Sequence, residues 1–243
     1  MIDDVTHRLR TLILQHEEPS PPGLVTPWLD EHDAEVDLLR IDVDDRDVDP
    51  TRYGLIVSLG SEFAAYEDDR AFVSREADLM REAVDADVPV LGLCFGGQML
   101  ARVLGGEVYR SAVSEIGWVP VRTHDADLVP EGPWFQWHFD TFTTPPGATL
   151  VAESDAGPQA FVAGRSLGLQ FHPEVTPEIM DDWVRAYRHE LDDEGVDPEV
   201  LLAETKRHAE DNRRTSWQLL ERYLDRVARS RSGIVAGGGS PER

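Results

Sequence analysis

Val88-Pro-Val-Leu-Gly-Leu-Cys-Phe-Gly-Gly-Gln98 is an apolar run that stops at a glycine-flanked thiol and continues with helical spacing. Residues 89–93 are apolar on both alternating faces, the pattern of a strand buried between helical layers in a parallel sheet. Met99, Leu100, Val103 and Leu104 recur at helical intervals before the stop signal Gly105-Gly106. Cys94, the only cysteine in the chain, therefore stands on a sharp turn between strand and helix. Such a turn strains its central residue, and Gly92 and Gly96 remove the side chains that would collide across it. The thiol is expected to stand clear of the backbone with helix amides aimed at it, a setting that favours the nucleophilic thiolate form. The plain alternative is a small buried hydrophobe at a strand end. The paired glycines and the switch from strand to helix favour the nucleophile.

A nucleophilic cysteine needs a base and a group that orients the base. Leu167-Gly-Leu-Gln-Phe-His-Pro-Glu174 offers both, because an apolar strand ends at His172 and a rigid proline separates it from Glu174. Imidazole and carboxylate then project to the same side of the strand end. Glu174 holds the ring in one tautomer while His172 takes the thiol proton and returns it to the leaving group.

These two segments, together with Glu115-Ile-Gly-Trp118 and Trp137-His-Phe-Asp140, resemble the class I (triad-type) glutamine amidotransferase family over residues of about 11 to about 190. The similarity is greatest to the stand-alone type related to the glutaminase part of GMP synthetase. The resemblance implies a flavodoxin-like open sheet flanked by helices. It also implies attack of the cysteine on glutamine through a γ-glutamyl thioester, with ammonia released and passed to a separate synthase subunit. No cofactor is implied. The oxyanion donors would be the amides of Phe95, beside the nucleophile, and of Ser61 in Leu55-Ile-Val-Ser-Leu-Gly-Ser-Glu62. Ser61 and Glu62 stand where the family usually has Gly and Pro, so a positive φ at Ser61 would carry strain. By the same resemblance Gln98 contacts bound glutamine. His138, Phe139 and Asp140 would correspond to the family's His-Gly-Asp loop around the α-amino and α-carboxylate groups. Glu115-Ile-Gly-Trp118 either lines the pocket or packs as a strand entry. A rival reading gathers His138, Asp140, His172 and Glu174 into a metal cluster, since those types suit zinc or iron. The thiol turn and the His-Pro-Glu arrangement account for them better, and no metal is expected.

The wider map agrees with an α/β chain. Apolar strand candidates fall at residues 12–14, 36–41, 55–59, 89–93, 119–121, 135–137, 149–152 and 167–171. Between the early ones lie helical patterns, the clearest at 68–86 with Val73, Ala77, Met80 and Val84 on one stripe. Early alternation of strand and helix predicts parallel crossovers, and the strand-rich stretch 107–171 predicts antiparallel additions. The expected sheet is thus open and mixed, mostly parallel, flanked by helices, with further helices at the C-terminal end. Residues 1–190 form the amidotransferase domain. Residues 191–229 form a helical extension packed on it, with Trp217, Leu220, Leu224 and Val227 on one face, and 230–243 form a disordered tail. A helix is expected at 177–189 and a longer one at 198–229. Gly237-Gly-Gly239 lacks the Lys-Ser/Thr ending of a phosphate loop.

Composition limits the partners. Acids outnumber basic residues 47 to 23, for a formal charge of −24, and Lys206 is the single lysine. Such a surface repels nucleic acid and anionic membranes. It suits a salt-adapted cytoplasm or a GC-rich genome that replaces lysine by arginine. No charged-then-apolar leader and no run of roughly 18 apolar residues are present, and one cysteine forms no internal disulfide. A reducing cytoplasm is the expected home of the thiol. Besides glutamine hydrolysis with a synthase partner, two readings remain: a hydrolase of γ-glutamyl amines or peptides, and a catalytically idle regulatory module on the same scaffold.

Overall fold

Leu12, Ile13 and Leu14 point alternately to opposite faces of one strand, yet all three are buried. The strand is covered on both sides, and the computed structural model, which describes residues 8–230, shows by what. Five strands form a parallel block: β1 (Arg10–Gln15), β2 (Glu35–Arg40), β3 (Leu55–Ser58), β4 (Val90–Leu93) and β9 (Ser166–Leu169). Early crossovers are α1 (Val25–Glu31) and α2 (Ala71–Asp85), and α3 (Phe95–Val103) follows β4. Ile13, Val57 and Leu93 pack with Trp28 and Leu29 of α1 and with Leu219, Leu220 and Tyr223 of α6 (Pro198–Tyr223). Leu12, Leu14, Ile56 and Val90 pack on the other side with Val73 and Met80 of α2 and Met99 and Leu100 of α3. Continuous apolar strands are therefore what two helical layers require.

The complete sheet has nine strands in the order β2-β1-β3-β4-β9-β8-β7-β5-β6. Its first five positions have the flavodoxin-like 2-1-3-4-5 arrangement, with β9 as the fifth parallel strand. Beyond β9 every pairing is antiparallel, through β8 (Gly157–Ala163), β7 (Thr149–Ser154), β5 (Val108–Thr123) and β6 (Gly132–Phe142). The mixed sheet expected from the sequence is present.

Several local expectations are corrected. The strand candidate at 119–121 is only the end of β5, whose sixteen residues pair along β6 with a register shift between Arg110 and Glu115. β8 carries no clear strand pattern because it opens on Gly157-Pro158 and buries a polar residue, Gln159, at its centre. Trp137-His-Phe-Asp140 is part of β6 rather than a loop. The helix expected at 177–189 is two helices, α4 (Pro177–Ala186) and α5 (Arg188–Glu194), interrupted where Tyr187 leaves helical geometry at φ −110° and ψ 30°. The C-terminal helix expected at 198–229 is α6 followed by a π-helical turn, Leu224–Ala228. Apart from Ser230, the tail expected to be disordered lies outside the described residues. No helix among the described residues is long and apolar enough to cross a membrane.

Candidate active site

Four adjacent strands end at one edge of the sheet, and each delivers a residue there: His16 after β1, Gly60 after β3, Cys94 after β4 and His172 after β9. The carboxyl edge of an open α/β sheet is where its loops leave a crevice. At Cys94 the backbone takes φ 51° and ψ −106°, outside the comfortable regions for a residue with a side chain. The conformation is held from three sides. The Cys94 N–H donates to the Leu169 carbonyl at 2.9 Å, its carbonyl accepts from Gln98 N–H at 2.9 Å, and Gly96 N–H donates to the Leu59 carbonyl at 3.1 Å. A Cβ at Gly96 would collide with the backbone of Ser58, and one at Gly92 with that of Gly96, so the turn is pressed against β3 and only glycine fits.

His172 and Glu174 are both buried, and Nδ1 of the ring bonds Oε1 of the carboxylate at 2.7 Å. Nε2 has no hydrogen-bond partner among the described residues. Burial works against charge on the ring, but the Glu174 carboxylate and Cys94 outweigh it and push the His172 pKa up to about 10. Trp183 packs edge-on against the imidazole at 4.8 Å, and a Cβ on Gly60 would lie 2.9 Å from the ring and 3.7 Å from Cys94 Cβ. Cys94, His172 and Gly60 thus share one wall of a recess. The sulfur also lies 3.8 Å from the Trp137 carbonyl and 3.7 Å from Gln170 Nε2.

Two recesses meet at the thiol. One, of about 340 Å³, lies on the His172 side and is lined by Glu17, Glu62, Glu190, Trp137, Trp183 and Tyr187, among others. Burial, helped by the nearby Glu62, raises the pKa of Glu17, and burial raises that of Glu190. The other, of about 620 Å³, is bordered by Ser61, Tyr66, Gln98, Arg110, Phe139 and Asp140. Arg110 lies over the Phe139 ring at 4.5 Å and 4.0 Å from Asp140, whose pKa is raised by burial against the pull of that arginine. Tyr66 reaches the same carboxylate at 3.4 Å.

The remaining sequence-derived residues lie around this centre in different ways. Phe95 is the first residue of α3, and Ser61 borders both recesses. The expected positive φ is not at Ser61: among the described residues, the non-glycines with positive φ are Asp33, Asp87 and Cys94. Gln98 is buried and donates to the Asp140 carbonyl at 3.3 Å and to Gln170 Oε1 at 3.2 Å. His138 turns inward, where its Nε2 meets Glu115 at 3.0 Å across the strand pair and its Nδ1 meets the Asp140 carbonyl at 3.0 Å. Glu115 also accepts from Ser154 and Gln159, so it supports the site from beneath instead of lining it. The four residues of the rival metal cluster are divided, His138 with Glu115 and His172 with Glu174. No group of three or more His, Cys, Asp or Glu among the described residues is arranged to hold a metal.

A family model described as glutamine amidotransferase class-I matches residues 26–186, more than half of the chain. The chain belongs to this family. An amidotransferase from Thermotoga maritima has the same fold with a TM-score of 0.83 and 35% identity, over 90% of this chain and 99% of that one. A second, from Methylobacillus flagellatus, superposes with a TM-score of 0.83 at 26% identity, over 96% and 100%. The GMP synthase (glutamine-hydrolyzing) of Aeropyrum pernix is 36% identical over 125 residues, which are 46% of this chain and 24% of that protein. One of the separate subunits of the GMP synthase of Sulfurisphaera tokodaii is 39% identical over 42% of this chain and 62% of its own length. The amidotransferase chain thus matches only about a quarter of the length of the full GMP synthase of Aeropyrum.

Sequence reasoning missed several residues of this amidotransferase site: His16, Glu17, Glu76, Arg110, Trp183 and Glu190. His16 alone carried a readable signal, since it follows an apolar strand at its carboxyl end just as Cys94 and His172 do. The others arrive from loops, helices or a strand bulge whose approach no local pattern encodes.

Proposed function

We propose that this chain hydrolyses L-glutamine to glutamate and ammonia through a thioester on Cys94, and that the ammonia passes to a separate synthase subunit. The observation that carries the reading is the 2.7 Å bond from Glu174 to His172 at the sheet edge that also presents the strained Cys94. Cys94 sulfur adds to the side-chain amide carbon and the carbonyl π electrons move to oxygen. The resulting oxyanion meets the amides of Phe95 and Ser61. The imidazolium of His172, stabilised by Glu174, protonates the nitrogen, the C–N bond breaks, and ammonia leaves a γ-glutamyl thioester. Water, losing a proton to His172, adds to that carbonyl. The C–S bond then breaks to release glutamate. The Arg110 recess suits the other end of the substrate: Arg110 faces the α-carboxylate and Asp140 the α-ammonium, with Gln98, His138 and Phe139 setting the floor and walls. The Sulfurisphaera relative bears the name of a single subunit within a GMP synthase, which supports delivery of ammonia to a second chain.

A second reading, hydrolysis of γ-glutamyl amines or peptides, is favoured by one feature. The recess on the His172 side, with Trp137, Trp183 and Tyr187 in its wall, offers more room than ammonia needs. Comparing kcat/KM for glutamine with that for a panel of γ-glutamyl compounds, with and without a co-purifying synthase, separates the two. For either reading, the purified protein is expected to release glutamate and to show the mass of a thioester on Cys94, and Cys94→Ala is expected to abolish both. Undiminished turnover in Cys94→Ala would refute the proposal.

A further inference from the structure

His16 is the second buried histidine at this sheet edge, and the proposed chemistry does not use it. Its side chain and that of Glu76 are both completely buried, with His16 Nε2 2.6 Å from Glu76 Oε2. The other oxygen of Glu76 accepts from Ser58 Oγ at 2.6 Å, which ties α2 to the end of β3. His16 Nδ1 lies 3.0 Å from the Gly60 carbonyl. A carbonyl only accepts, so Nδ1 donates to it, and a second proton lies between Nε2 and the carboxylate. Burial opposes charge on this ring, and the Glu76 carboxylate outweighs it, so the His16 pKa lies above its ordinary value. The ring also packs on Phe95, centroid to centroid at 4.6 Å. One side chain therefore touches both segments proposed as oxyanion donors.

We infer that His16, braced by Glu76, is a positioning residue that sets the Gly60–Ser61 peptide so that the Ser61 N–H faces the oxyanion. None of the described peptide bonds is cis, so the Ser61 N–H points opposite to the Gly60 carbonyl. Holding that carbonyl from behind aims the amide forward. Gly60 would otherwise leave this peptide free to rotate, because glycine meets little steric resistance in either orientation. A charge-assisted bond from a buried ring selects one orientation before substrate arrives. The inference rests on the amidotransferase reading for its oxyanion, but its geometry is testable without turnover.

Asparagine places an amide nitrogen near the Nδ1 position and keeps the donor to Gly60. Glutamine places one near Nε2 and keeps only the contact with Glu76. Each substitution is also made together with Glu76→Gln, so that no unpaired buried carboxylate unfolds the chain. His16→Gln is expected to lower kcat on L-glutamine by about 100-fold, the scale of losing one oxyanion donor, with KM little changed. His16→Asn should retain kcat within about tenfold, as a variant that keeps the donor. Alkylation of Cys94 by iodoacetamide forms no oxyanion, so its rate and pH profile should not move in any variant. Equal kcat in the Asn and Gln variants, or alkylation falling in step with kcat, would overturn the assignment. Independently of activity, the Ser61 amide resonance should shift in His16→Gln and stay in place in His16→Asn, and the absence of that contrast would overturn it as well. Should the native protein release no glutamate from any γ-glutamyl compound, the amidotransferase reading fails, while the resonance contrast still decides the peptide.

Discussion

Cys94 pays for its exposed sulfur with a backbone angle, φ 51° and ψ −106°, that suits glycine. The strain falls on the nucleophile, and Ser61 takes no part in it. Two substitutions isolate the effect. Cys94→Ala keeps the Cβ and the strain, while Cys94→Gly removes both. Calorimetry should therefore find Cys94→Gly more stable than Cys94→Ala by about 1 kcal/mol, despite the smaller side chain. The reverse order would place the turn at no energetic disadvantage. Residue-scale contacts also account for the departure at Glu62. Its backbone N–H donates to Glu17 Oε1 at 3.0 Å, a bond that a proline at this position could not make.

The long C-terminal helix acts directly on the segment that carries His172 and Glu174. In α6, Ser216 Oγ donates to the Pro173 carbonyl at 2.7 Å and Asn212 Nδ2 to the Val175 carbonyl at 3.0 Å. These bonds bracket Glu174, so α6 fixes the carboxylate that orients His172. The helix is started by Asp197, whose side chain accepts from Glu199 N–H, with Pro198 at its first turn. Ser216→Ala leaves the Pro173 carbonyl without this donor and should lower stability by about 1 to 2 kcal/mol in denaturant unfolding. It should also reduce kcat several-fold with KM unchanged, because only the orientation of the base is loosened. A loss of stability with kcat intact would limit α6 to packing. At the same scale, β6 shows why motif similarity is a poor guide to local form. Trp137-His-Phe-Asp140 continues a strand because it pairs with β5 along its length, with His138 directly opposite Glu115.

For the whole molecule the dominant sequence property is its charge of −24. Self-repulsion at that level opposes the compact state, and screening relieves it. Raising sodium chloride from about 0.01 M to about 1 M shortens the screening length from about 30 Å to about 3 Å. The thermal midpoint should rise over this range and should not follow a non-ionic osmolyte in the same way. A flat response would mean that local ion pairs already neutralise the repulsion. The fold class and the central pair of motifs were legible because each is written in a short, contiguous pattern. Strands buried on both faces read as apolar runs, and a glycine-flanked thiol between strand and helix admits few geometries. β8 was hidden by its opening proline and buried Gln159, whose polarity is satisfied by Glu115 and Ser154 from other strands. His16 and Glu76 lie sixty positions apart and become one buried pair only when α2 crosses over the sheet. Strand and helix periods and the identity of the nucleophile are set by neighbours along the chain, so residue order was enough to read them. Which distant polar groups come to share a desolvated site was settled by folding alone, because burial and hydrogen bonding depend on what packs across the sheet edge.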